Sequence, residues 1–157
     1  ENKNKSVVAS VVLAGASLLA ILNTWEGNEY EVYNDIVGVP TVCQGITGKQ
    51  VVAGKTYTPA ECADLNAKAA AAHGAGFLAC VDPDVQRRLK QNQYDAFASW
   101  TYNVGITAAC KSTAVKKLNA GDTPAACGEL LKWNKAGGKV VKGLDNRRRA
   151  EYALCIQ

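Results

Sequence analysis

The sequence has little histidine and no closely spaced pair of cysteines. Of 157 residues one, His73, is a histidine, and none of the six cysteines stands in a C-x-x-C pattern. A zinc site therefore lacks ligands at a usable spacing, and no metal or organic cofactor is implied. A Ser–His or Cys–His dyad would have to use His73, which follows an alanine-rich stretch, precedes a glycine and has no nucleophile motif beside it. A helix-end or surface role is the simpler expectation. Low-complexity tracts are absent and 48% of the residues are apolar, which suits one packed domain, with or without a short tail. Stacking motifs and basic repeats of the kind that read nucleic acid are missing, so no nucleic-acid partner is expected. The net charge of +4 suits any anionic polymer or surface and decides among none of them.

Charge is also missing from one long stretch. Behind Lys3 and Lys5, the run Ser6–Leu22 (S-V-V-A-S-V-V-L-A-G-A-S-L-L-A-I-L) carries no charged side chain, which is the pattern of an export signal. As a helix it would reach about 25 Å, against a hydrocarbon core of about 30 Å. Its many Ala, Gly and Ser residues gain little in a bilayer, and a central Leu or Val gains only about 0.3–0.6 kcal/mol. Three readings compete: a signal peptide cleaved near Ala14-Gly15-Ala16, a permanent anchor, and a segment that enters the inner membrane and later leaves it. Cleavage would remove the first half of the helix that follows. A buried first helix of a cytoplasmic protein is a further alternative, opposed by the lysines, the uncharged run and the cysteines. We favour the releasable segment, with residues 1–24 as an N-terminal piece able to pack as a first helix and residues 25–157 as the domain proper.

Six widely spaced cysteines suggest disulfides and an oxidising compartment. Six allow fifteen pairings. Pairing of chain neighbours, Cys43–Cys62, Cys80–Cys110 and Cys127–Cys155, is expected, the alternative being that some are buried free thiols. The stretch Trp25–Gly48 carries the chemistry. Glu26 falls where an apolar run turns polar, near a helix end. Asp35 and Thr41 lie in a segment rich in valine, tyrosine and glycine, with Gly38 at its turn, which predicts a β-hairpin. A helix end facing a hairpin makes a cleft wall. Two carboxyl groups in unlike surroundings are what acetal cleavage needs, one protonated to release the leaving oxygen and one ionised to stabilise positive charge or activate water. By themselves, two acids nine residues apart are more often surface residues.

The pattern E-G followed by Y-x-D-x-x-G-x-x-T-x-x-x-G-x-T-G resembles the phage-type lysozymes of glycoside hydrolase family 24. The resemblance implies cleavage of the N-acetylmuramic acid to N-acetylglucosamine bond of peptidoglycan, leaning to inversion, with Glu26 as general acid and Asp35 and Thr41 holding the water. It also implies a lysozyme-like α+β fold, in which a small β-hairpin lobe and a mainly helical lobe are joined by a long helix. Many relatives carry glycine at Cys43 and histidine at Ile46, the latter a polar link between hairpin and body. The uncharged run resembles that of the signal-anchor-release endolysins. They reach the periplasm tethered to the host inner membrane and are activated on leaving it. The string Q-Y-D-A-F-A-S-W-T-Y-N-V-G resembles the family's core helix, which implies sugar contacts for Tyr102 and Asn103. On that basis we expect a monomeric endolysin. A non-catalytic wall-binding protein and a cytoplasmic lysozyme served by a separate hole-forming protein are the competing functions.

Elsewhere the local signals are plain. Thr58-Pro59-Ala60-Glu61 predicts a helix start with a capping box, running to about Ala72 and stopped by His73-Gly74. A short apolar segment, residues 75–81, leads to a turn or helix start at Asp82-Pro83-Asp84. Residues 92–104 read as a central helix, 113–119 as a short one capped by Ser112, and Thr123-Pro124 starts another. W-N-K-A-G-G-K reads as a loop before a last helix from Gly143 to about Cys155. Arg87, Arg88 and Lys90 read as a solvated face. The run Arg147 to Arg149 would meet anionic wall polymer, although three successive helical residues cannot all face one way.

Overall fold

The computed structural model describes residues 8–157. Lys3, Lys5 and the first two positions of the uncharged run lie outside the described residues. The chain forms two compact units, residues 14–71 and residues 8–13 with 72–157, and the architecture is α+β.

In the unit of residues 14–71, helix α1 (Ala16–Glu26) buries Leu18 and Leu22 one turn apart and ends at Gly27, whose φ of 66° leaves the helical region. It is shorter than the uncharged run. The residues before it, with valines at 8, 11 and 12 and Ser10, are weak helix formers, and Gly15 stands at the N-cap. Strands β1 (Glu29–Asn34) and β2 (Pro40–Cys43) pair antiparallel, with Tyr33 opposite Thr41 and Asn34 opposite Pro40. Beneath the hairpin, Val42, Cys43, Ile46, Tyr57 and Cys62 form a buried cluster, with Val32, Val51 and Leu65 packed on it. Helix α2 (Pro59–Ala79) starts with the expected box. The Thr58 N–H donates to Glu61 Oε2 at 2.8 Å and the Glu61 N–H to Thr58 Oγ1 at 3.1 Å.

The boundary between the units falls inside α2, after Ala71. His73-Gly74 does not end this helix, which runs on to Ala79. Gly74 and Gly76 are there for close approach. A Cβ at Gly74 would fall 1.7 Å from Tyr94 Oη, and one at Gly76 would fall 2.5 Å from Ile106 Cδ1. His73 is accordingly mid-helix and half-buried, its ring 4.7 Å from that of Tyr102.

The second unit continues with α3 (Pro83–Arg88), α4 (Gln91–Val104), α5 (Ile106–Lys111), α6 (Thr113–Asn119) and α7 (Thr123–Glu129). A 3₁₀ turn (Leu130–Lys132), strands β3 (Lys135–Ala136) and β4 (Lys139–Val140), and α8 (Lys142–Cys155) complete it. The stretch read as a loop is thus a two-residue hairpin. Gly137 and Gly138 both have positive φ, 57° and 77°, which that tight turn requires. Helix α4 packs on α8 around Phe97 and Trp100, with Phe77 stacked on Phe97 at 5.4 Å and Trp133 edge-on to Trp100 at 5.4 Å. Phe77 and Phe97 are fully buried, and each contributes about 1.5–3 kcal/mol. Arg147 and Arg148 do not form a basic surface; both are buried and paired with Glu151, while Arg149 is exposed and bonded to Asp145.

Three disulfides join Cys43 to Cys62, Cys80 to Cys110 and Cys127 to Cys155. Glu129 is buried and takes both Lys117 and Lys132, which hold its carboxyl below the usual range. A lowered pKa in the folded chain means weaker proton binding there than in the unfolded chain. The contribution is therefore present above the ordinary carboxylate pKa and lost as pH falls through the depressed one. Thermal melts of wild type and Glu129→Gln should differ at pH 7 and converge on acidification.

Candidate active site

Glu26, Asp35 and Thr41 all belong to the unit of residues 14–71. Glu26 is the last residue of α1 and is half-buried, so its position is set by a helix held down at Leu18 and Leu22. Asp35 opens the turn between the strands. Its Oδ1 accepts the N–H groups of Val37 and Val39, each at 2.9 Å, while its own N–H donates to Val39 O at 3.0 Å. An aspartate at this point of a turn, with Gly38 at φ 81° behind it, closes the loop on its own backbone. Thr41 is buried, and its Oγ1 donates to Val39 O at 2.8 Å. Asp35 and Thr41 are therefore both fastened to the peptide groups of Val39. The bonds leave two acceptors outside the turn's own network, Asp35 Oδ2 and the Thr41 hydroxyl oxygen.

The hairpin is braced from three sides within its unit. Ile46 is buried in the apolar cluster, so where many relatives carry a polar histidine this chain uses burial. The Cys43–Cys62 disulfide ties β2 to α2. A chain of amides adds the third brace. The Gln44 N–H donates to Asn66 Oδ1 at 3.1 Å, Asn66 Nδ2 to Asn28 Oδ1 at 2.8 Å and Asn28 Nδ2 to Asn23 Oδ1 at 3.0 Å. Sequence reasoning passed over these residues. The one available signal was Asn66, a polar residue in an alanine-rich helix. A cavity of about 290 Å³ is lined by Leu19, Asn23, Asn28, Tyr30, Gln44 and Asn66. Glu26, Asp35 and Thr41 do not line it, so it is not where the candidate triad would react.

Cys43 is the one described non-glycine residue with positive φ, 58°, a conformation that costs an L-residue about 1–2 kcal/mol. The glycine common at this position in the resembled family would adopt it freely. Removing the cross-link with Cys43→Ala/Cys62→Ala should cost about 3 kcal/mol. Cys43→Gly/Cys62→Ala should cost about 0.5–1 kcal/mol less, which denaturant melts of the two double variants would resolve.

Tyr102 and Asn103 lie near the end of α4, in the other unit. Tyr102 is half-buried against His73, and Asn103 is exposed, its Oδ1 accepting from Arg148 Nη2. Among the described residues no group of His, Cys, Asp and Glu is arranged to hold a metal ion.

Comparison with known proteins identifies the family. A family model described as phage lysozyme matches residues 23–151, which include all three candidate residues. The chain is 41% identical to the SAR-endolysin of Enterobacteria phage P21 over 149 residues, covering 95% of this chain and 86% of that one. It is 37% identical to the SAR-endolysin of Bacteriophage PS119, covering 96% and 92%. A crystal structure of a phage P22 lysozyme mutant superposes with a TM-score of 0.81 at 31% identity, covering 93% of this chain and 99% of that one. The match runs from before the hairpin into the last helix, at an identity far above what fold alone would bring, and so this chain belongs to the phage lysozyme family and is a muramidase.

Proposed function

We propose that the protein is a phage endolysin that hydrolyses the β-1,4 bond between N-acetylmuramic acid and N-acetylglucosamine. Peptidoglycan is the substrate that membership of the family implies. The observation that carries the reading is the turn built on Val39, which fastens Asp35 and Thr41 together. Glu26 gives its proton to the leaving oxygen. Asp35 Oδ2 and the Thr41 hydroxyl oxygen, the two acceptors outside the turn's network, hold the attacking water, and the carboxylate charge steadies the oxocarbenium-like transition state. Tyr102 and Asn103 contact the glycan.

The enzyme reaches its substrate by a releasable anchor. Residues 6–22 tether it to the host inner membrane, and it acts in the periplasm, as a monomer, after leaving the bilayer. The uncharged run, its small residues and the SAR-endolysin names of its relatives support this. Among the described residues no helix is long and apolar enough to cross a membrane. On this reading the conformation described is the released one.

The purified chain should clear chloroform-treated Gram-negative cells and leave fragments with muramic acid at the reducing end, identified by mass spectrometry. Asp35→Asn keeps an oxygen for the Val37 and Val39 amides but loses the charge. It should fold and clear cells at least about 10²-fold more slowly. Fragments ending in glucosamine would defeat the bond assignment, and full activity in Asp35→Asn would remove Asp35 from the mechanism.

A further inference from the structure

Residues 8–13 are not helical, although their composition is that of an apolar segment, and they lie against side chains of their own unit. Gln86 Oε1 accepts the N–H groups of Val8 at 2.7 Å and Ala9 at 3.1 Å. Gln91 pairs with Val12 in both directions. The Val12 N–H donates to Gln91 Oε1 at 2.8 Å, and Gln91 Nε2 donates to Val12 O at 2.9 Å and to Asp95 Oδ1 at 2.9 Å. Tyr94 Oη donates to Leu13 O at 2.7 Å.

These side chains are set in place before they meet the segment. Gln86 is wholly buried, and its Nε2 is held by the carbonyls of Leu78 at 2.8 Å and Val81 at 2.9 Å, which fixes the direction of its oxygen. The Tyr94 hydroxyl sits where only a glycine at position 74 leaves room. Burial pushes its phenol up from the ordinary value, so the proton it donates stays on. Meanwhile Val8 and Val12 remain 38% and 62% exposed. Ala9, Val11 and Leu13 are half-buried, but the exposed valines are held through backbone hydrogen bonds alone.

We propose that Gln86, Gln91 and Tyr94 form a peptide-backbone binding site that captures residues 8–13 of this chain off the membrane. The proposal rests on the releasable-anchor reading and extends it by naming the receptor. In a bilayer a spanning segment must satisfy its own N–H and C=O groups as a helix. Off the bilayer, residues 8–13 hand five of those groups, the N–H of Val8, Ala9 and Val12 and the C=O of Val12 and Leu13, to three side chains. Recognition through backbone atoms is indifferent to side-chain identity, so Val8 and Val12 can suit a membrane without needing an apolar partner in the folded enzyme. The two demands on this segment fall on different atoms.

The test uses the full chain expressed in a Gram-negative host, with membrane and soluble fractions taken over time and amide exchange measured on the soluble protein. Gln91 is exposed at the first position of α4, so Gln91→Ala should fold, and Tyr94→Phe removes only the hydroxyl. In Gln91→Ala, exchange at the Val12 amide should quicken roughly tenfold. In both variants the membrane-bound share should rise, with the rate of cell clearing by purified protein unchanged. Val12→Thr should keep the Val12 protection while its membrane share falls. Unchanged exchange in Gln91→Ala, or an unchanged membrane share in both receptor variants, overturns the proposal. A wild type never found at the membrane overturns the anchor reading instead, a result told apart by whether the exchange difference persists.

Discussion

Glu26→Gln is expected to slow cell clearing by roughly 10²–10⁴-fold while the thermal midpoint stays close to that of wild type. The amide matches the carboxyl in shape but has no proton to give a leaving oxygen. Glu26 ends α1, half-buried, in a helix that buries Leu18 and Leu22. Loss of activity without loss of fold is the signature of a proton donor. Glu26→Asp offers a second reading of the same role. It keeps the acid but draws it back by one methylene, and a displacement of that order in a reacting group costs about 10²-fold. A Gln variant that still clears cells at the wild-type rate would remove Glu26 from the chemistry.

The largest effect on stability should come from Glu151→Ala. Glu151 is buried in α8. Its Oε1 accepts from Ser99 Oγ at 2.7 Å and Arg147 Nε at 3.0 Å, and its Oε2 lies 3.0 Å from Arg148 Nη1 in a charge contact that is not aligned as a hydrogen bond. Arg147 also donates to Ser99 O on α4 at 2.9 Å, so the cluster ties the two packed helices together. Truncating the carboxylate strands two buried guanidinium groups. Breaking a buried pair in this way costs about 3–5 kcal/mol, or roughly 6–20 °C in melting temperature for a chain of this size. Arg149→Ala, on the exposed side of the same run, should stay within about 0.5 kcal/mol of wild type. Similar losses for Glu151→Ala and Arg149→Ala would show that the buried cluster is not what holds α8.

That contrast marks where reading along the chain stops being enough. The run Arg147 to Arg149 looks like a basic patch in sequence. The helical period says only that its members diverge; which of them meet α4 depends on residues some fifty positions earlier. Gly74 is similar. Beside His73, at the end of an alanine-rich stretch, it reads as a helix stop. It is instead a gap for the Tyr94 ring, twenty residues further on. The G-G of the second hairpin is a local turn signal, yet the stretch reads as a loop. The hairpin was hidden because strands of two residues have too little sequence to show a period.

By itself the sequence determined what short-range physics decides. The T-P-x-E box started α2, Asp35 and Gly38 closed the turn that carries the candidate triad, and Gly27 ended α1 at Glu26, because each of these needs only the backbone within a few residues. Tertiary structure alone decided which side chains would hold Val8–Leu13, that Gly74 would lie within a helix rather than end it, and that Arg147 and Arg148 would be buried. In each case the deciding partner is distant in the chain, Gln86 and Gln91 for the first, Tyr94 for the second, Ser99 for the third. A local conformational preference of a few tenths of a kcal/mol per residue yields to hydrogen bonds, buried packing or a buried charge cluster worth several times as much.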